Sequence, residues 1–269
     1  MIRRICTLAA VLIVPGFVGV LVCFILLHDW ADMRAYTADD MQALPASLFE
    51  TAITRAGAQH QLCCDNSLTI DPDRQIMTFR IVPGQAAVHG SMRAEIRSLA
   101  SRIGQRYRYR ADVRAAEGWQ FSPHPTIAMQ WHATRDVWFF EQGRKPPLAI
   151  RATGKDWVIA VNSDAGFATP FATRSEERVI ARFPMQLGAW ESLEFEVLWS
   201  PDRSGRIAVH RNGKLIASDR GANCFNDVIG PYFKFGNYQP LGQNHRTMDK
   251  RVLSFRNVSW ERIANASFD

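Results

Sequence analysis

No low-complexity tract, internal repeat, long amphipathic helix or alternation of strands with helices runs through this sequence. Solenoids, helical bundles and parallel α/β sheets are therefore set aside. The chain also lacks a Lys/Arg-rich stripe, a helix-turn-helix pattern and zinc-finger spacing. Its formal charge of +6 thus comes without the usual footprints of nucleic-acid binding. Arg3 and Arg4 supply two of those charges in an N-terminal leader. The mildly basic remainder suits an acidic polysaccharide at least as well, and no nucleic-acid partner is expected. Cysteine is scarce at five residues, with no C-x-x-C pair and no clustered histidine. Neither a metal site nor a cofactor is expected.

Apolar residues, at 47%, are plentiful enough for a substantial core. The leader is the clearest local signal: Arg3-Arg4, then an uncharged run from Ile5 to Leu27, then His28, Asp29 and Asp32. That run is long enough to cross a bilayer, and no small-residue cleavage site of the A-x-A kind follows it. Pro15 and Gly16 within it are tolerated in membrane helices. The reading is a transmembrane anchor over 1–30, a linker and lead-in over 31–60, and one main domain over 61–269. Positive charge before the run places the N-terminus in the cytoplasm, so the protein is expected in the inner membrane as a single-pass chain. The domain then lies on the periplasmic or extracellular, oxidising side, where Cys63, Cys64 and Cys224 are expected to form one bridge. That bridge would join Cys224 to one of the neighbouring pair.

Strand signals dominate the main domain. Ile76–Val82, Thr126–His132, Trp157–Asn162, Leu193–Trp199, Arg206–His210 and Val252–Trp260 are short and rich in β-branched and aromatic residues. Asn212-Gly213 between Arg206–His210 and Lys214–Ala217 predicts a hairpin, because both central residues of a type I′ turn need positive φ. The expected fold is all-β: a two-sheet antiparallel sandwich of the jelly-roll, concanavalin-like kind, preceded by the membrane helix.

Three segments carry chemistry. In Arg93-Ala94-Glu95-Ile96-Arg97, strand alternation puts Arg93, Glu95 and Arg97 on one face. An Arg–Glu–Arg row can brace itself while leaving guanidinium donors for a ligand carboxylate, although a solvated face with ordinary ion pairs would look the same. In Gln130-Trp131-His132, an amide and an imidazole share a face and Trp131 points away. A lone histidine is more often structural than a base, but a neighbouring amide that can neutralise a carboxylate makes proton transfer worth considering. In Tyr232-Phe233-Lys234-Phe235-Gly236-Asn237-Tyr238, the two Phe anchor the strand. Tyr232, Lys234, Gly236 and Tyr238 line the other face, where the gap at Gly236 would let a sugar approach the backbone.

These three segments, in this order, resemble the R-x-E-x-R, Q-x-H and Y-F-K-x-G-x-Y signatures of jelly-roll polysaccharide lyases of the alginate-lyase, glucuronan-lyase and heparin-lyase-like groups. Gly188-Ala189-Trp190 and the Asn212-Gly213 hairpin are similar to the heparin-lyase-like group too. The resemblance covers roughly Leu62 to Ile263, while the anchor is not a usual family part and Asn237 stands where Ile or Val is common. It implies an enzyme that cleaves uronic-acid polymers by β-elimination, with glucuronate- or mannuronate-type bonds favoured. Tyr238, His132 and Gln130 would be catalytic. Arg93, Arg97, Lys234, Tyr232 and, on the groove rim, His89 would bind substrate. An exported exopolysaccharide is an expected substrate, and proteins of an export machinery are conceivable partners. Two rival readings fit the residues less well. A glycoside hydrolase on this fold needs facing carboxylates, and the E-x-D-x-x-E arrangement is absent. A non-catalytic sugar-binding module would not need Gln130, His132 and Tyr238 together.

Overall fold

The computed structural model describes residues 59–264, apart from 88–90, 135, 137–140, 142, 165, 167, 170–175 and 241–250. The anchor expected over 1–30, the lead-in and His89 lie outside the described residues. Among the described residues, no helix is long and apolar enough to cross a membrane.

The chain runs through β1 (Gln59–Leu62), β2 (Leu68–Asp71), β3 (Ile76–Ile81), β4 (Met92–Ala100), β5 (Arg106–Ala115), β6 (Ser122–His132) and β7 (Leu148–Gly154). It continues through β8 (Asp156–Ser163), β9 (Glu176–Pro184), β10 (Glu191–Leu198), β11 (Arg206–Arg211), β12 (Lys214–Arg220), β13 (Tyr232–Gln239) and β14 (Arg251–Ile263). Two antiparallel sheets of seven strands result, one ordered β1-β4-β13-β6-β7-β8-β9 and the other β12-β11-β10-β5-β14-β3-β2. This is the expected all-β sandwich. The segments read as strands are present, and the Asn212-Gly213 turn joins β11 to β12 with φ of 50° and 76°. Five further strands, β1, β2, β5, β7 and β9, lie outside the segments read as strands.

Alternation explains why these segments pair. β5 reads R-Y-R-Y-R-A-D-V-R-A, sending Tyr107, Tyr109, Ala111 and Val113 into the core. Its arginines stay outside, where Arg106 and Arg108 bind Glu196 and Arg110 binds Glu194 of the adjacent β10. Behind the first sheet, the Trp131 ring lies 5.0 Å from Tyr109, 4.9 Å from Phe195 and 5.0 Å from Phe233. Phe235 meets Phe79 at 5.7 Å and Phe255 at 5.5 Å, both edge to face. These contacts bridge the two sheets and hold the core sides of β6 and β13, so the opposite sides are fixed as well.

The cysteine expectation is corrected. Cys63 is bonded to Cys64, and Cys224 is a free thiol buried within the hydrophobic core. Cys224 packs as a small apolar residue, while the adjacent pair satisfies itself locally.

Candidate active site

In the first sheet, β13 lies between β4 and β6, so the three chemical segments occupy neighbouring strands. Lys234 is level with Arg97 on one side and Gln130 on the other. Gly236 is level with Glu95, Tyr238 with Arg93, and Tyr232 with His132. Phe233, Phe235 and Trp131 are buried on the core side, which confirms the alternation read from the sequence.

The glycine has a different reason for being there. Gly236 has φ of 138°, and a Cβ on it would come within 2.3 Å of the Ala94 carbonyl oxygen. A bulge lies between Phe235 and Tyr238 in the pairing with β6. The close approach of β4 and the positive φ require glycine here, whatever a ligand does. Asn237 follows on the core side, where it is buried and donates from Nδ2 to the Arg251 carbonyl on β14 at 3.1 Å. It therefore leaves the opposite face untouched.

The cluster has a buried floor and a more accessible upper layer. Glu95 forms the floor with Gln130 and Lys234, all at most 2% exposed. Gln130 donates from Nε2 to Glu95 Oε1 at 2.6 Å, and the Lys234 ammonium donates to Glu95 Oε2. Burial pushes the lysine below its ordinary pKa, and Glu95 draws it part of the way back. Arg93 stands 3.8 Å from Glu95 and stacks its guanidinium 4.6 Å from the centre of the Tyr238 ring. Arg97 stacks 5.2 Å from the Tyr232 ring, which in turn lies against His132 at 5.2 Å. The expected Arg–Glu–Arg brace is thus corrected in part: Glu95 chiefly serves Gln130 and Lys234, and each arginine leans on a tyrosine.

His132 is set up to accept a proton. Its Nδ1 lies 2.9 Å from the Ala133 carbonyl, which can only accept, so Nδ1 carries the hydrogen and Nε2 of the neutral ring holds the lone pair. Burial pushes this imidazole below the ordinary histidine pKa. Burial pushes the Tyr232 phenol the other way, with Arg97 opposing the shift. His132 and Tyr238 enter the cluster from opposite ends, with Gln130 and Lys234 between them.

One other acidic group needs placing. Carboxylate oxygens of Asp136, Glu141 and Asp227 lie within 4.8 Å of one another, as ligands of a cation would. The Arg144 guanidinium already occupies this cluster, 3.0 Å from Glu141 and bonded to Asp227. The cluster ties the segment after β6 to the segment before β13 and so braces the two strands that carry the site.

The family model described as Polysaccharide lyase matches residues 47–256, well over half of the chain. The chain belongs to this polysaccharide lyase family. Among solved structures it is similar to an endo-β-1,4-glucuronan lyase from the fungus Trichoderma reesei, with 18% identity and a TM-score of 0.57 over 69% of this chain and 79% of that one. It is also similar to an alginate lyase from Pseudomonas aeruginosa, with 15% identity and a TM-score of 0.53 over 74% and 87% of the two chains. At these identities the likeness is one of fold, the jelly-roll sandwich. Compared with curated proteins, the sequence matches none.

Proposed function

We propose that this protein is a polysaccharide lyase that cleaves a uronic-acid polymer of the glucuronate or mannuronate type by β-elimination. The observation that carries the reading is the convergence of Arg93, Arg97, Gln130, His132, Lys234 and Tyr238 on one face of three adjacent strands. In such a reaction a base takes the proton α to the uronate carboxylate, and its electron pair forms the new C=C bond. The β C–O bond breaks, and the departing oxygen takes a proton from an acid. The α proton is too weakly acidic while the carboxylate keeps its full charge. Arg93, Arg97 and the second amide hydrogen of Gln130 are the donors for neutralising it; one such donor is typically worth about 10²–10³ in rate. Where proton and leaving group share a side of the ring, Tyr238 serves as both base and acid. Where they lie on opposite sides, His132 Nε2 takes the proton and Tyr238 gives one.

A hydrolase would need two facing carboxylates, whereas Glu95 in this cluster is buried and bonded to Lys234. The Arg3-Arg4 leader and the uncharged Ile5–Leu27 run support an anchored domain outside the cytoplasm, acting on a polymer during export. Incubation with a panel of polyuronates, followed by ultraviolet absorbance of the new C=C bond, tests the chemistry. Absorbance that does not rise with any polyuronate would replace this reading with that of a sugar-binding module.

A further inference from the structure

We propose that Glu95 is a positioning residue of this site: it fixes where the Gln130 amide and the Lys234 ammonium stand when substrate arrives. The proposal rests on the lyase reading above. Glu95 projects from β4, and its two oxygens are taken by donors from two different strands, Gln130 on β6 and Lys234 on β13. β13 passes between β4 and β6, with Gly236 level with Glu95 and Lys234 level with Gln130. One carboxylate thereby joins all three strands that carry the chemistry.

Stability alone does not account for this arrangement. Buried ion pairs are weak stabilisers, because apolar residues of similar volume often do as well. Gln130 Oε1 is also buried with no hydrogen-bond partner among the described residues, which costs the fold something. What the trio does supply is orientation. A carboxylate can only accept, so Glu95 dictates that Gln130 turns its nitrogen towards it, leaving one hydrogen on that nitrogen uncommitted to Glu95. Glu95 also sets the local charge. Arg93, Arg97 and Lys234 bring three cations, and Glu95 cancels the deepest of them by direct contact. The two guanidinium groups lie in the more accessible layer above, stacked on Tyr238 and Tyr232.

The test uses the full chain and a polymer that the wild type cleaves, with folded protein counted by thermal melting. Glu95→Gln keeps the size and one acceptor but loses the charge. We expect kcat per folded molecule to fall at least about tenfold while KM moves less than about threefold, the pattern of a lost transition-state interaction. Because Glu95 acts through Gln130 as well as Lys234, the double variant Glu95→Gln/Gln130→Leu should lose clearly less than the product of the two single losses, and a fully multiplicative loss would overturn the positioning of Gln130. If Glu95→Gln does not fold, Glu95→Asp, which keeps the charge but withdraws the oxygens by one methylene, carries the test with the same thresholds. A wild type that cleaves beside a Glu95 variant with kcat within about threefold of it overturns the positioning role and leaves the lyase reading standing. A wild type that cleaves no polyuronate overturns both.

Discussion

Arg93 and Tyr238 face each other across β4 and β13, with the guanidinium carbon 4.6 Å from the centre of the phenol ring. This contact involves the ring face and not the hydroxyl, so it survives loss of the oxygen. Tyr238→Phe is therefore expected to fold, melt and bind polymer as the wild type does. Its turnover should fall by roughly 10²–10⁴, the loss for a missing general acid or base. Steady-state kinetics with KM and kcat determined separately checks this, and full activity in Tyr238→Phe would remove Tyr238 from the mechanism.

His132 distinguishes the two stereochemical cases. His132→Ala should abolish cleavage of iduronate- or guluronate-type bonds, where base and acid must stand on opposite sides, and only weaken cleavage of glucuronate- or mannuronate-type bonds. The acid limb of the pH profile gives a second reading. Burial lowers the imidazole's pKa, so the neutral, proton-accepting form persists to lower pH than in an ordinary histidine. The midpoint of the limb for His132-dependent bonds should therefore lie below about 6.5.

On the core side of β13, changes should affect folding and not chemistry. Phe235 is 1% exposed and wedged edge-on against Phe79 and Phe255. Phe235→Tyr forces a hydroxyl into that apolar wedge, at a cost of about 1–3 kcal/mol for an unpaired buried group. One residue on, Gly236→Ala meets the Ala94 carbonyl at 2.3 Å and a φ of 138° that other residues avoid. It should be the more damaging of the two, above about 3 kcal/mol. Thermal melts together with activity per folded molecule separate these effects from a catalytic defect.

The site was more legible in the sequence than the frame that supports it. Period-two alternation suffices to put Arg93, Glu95 and Arg97 on one face and Phe233 and Phe235 on the other, and β4 and β13 keep it. Alternation within one strand says nothing about which strands are neighbours. It therefore could not show that Glu95 reaches Gln130, or that His132 stands level with Tyr232 and away from Tyr238. β5 was missed although its R-Y-R-Y-R pattern alternates cleanly, because four arginines in ten residues look like a solvated segment until Glu194 and Glu196 are placed beside them. The strands β7 (L-A-I-R-A-T-G) and β9 (E-E-R-V-I-A-R-F-P) carry too much alanine and charge for a propensity signal. Cys224 misled for a related reason: a cysteine in a domain expected outside the cytoplasm suggests a bridge, and only the core around it shows an apolar filler.

Away from the site, Asp227 should give the fold a pH dependence of its own. Burial raises its carboxyl to about 7, outweighing the pull of Arg144, and the neighbouring Glu141 and Asp136 push the same way as burial. An unfolded aspartate titrates near about 3.9. Between these two values the folded protein holds a proton that the unfolded chain releases. The resulting stability is complete below about pH 4 and is lost as pH rises through about 7. Asp227→Asn keeps a group able to accept from Arg144 but cannot ionise, so it should remove that dependence. Relative to wild type, the variant should gain stability as pH rises from about 5 to about 8, by on the order of 1–3 kcal/mol. Denaturant unfolding of both proteins at the two pH values measures the difference. Parallel curves would mean that Asp227 is already ionised in the fold, with Arg144 and not burial deciding its charge.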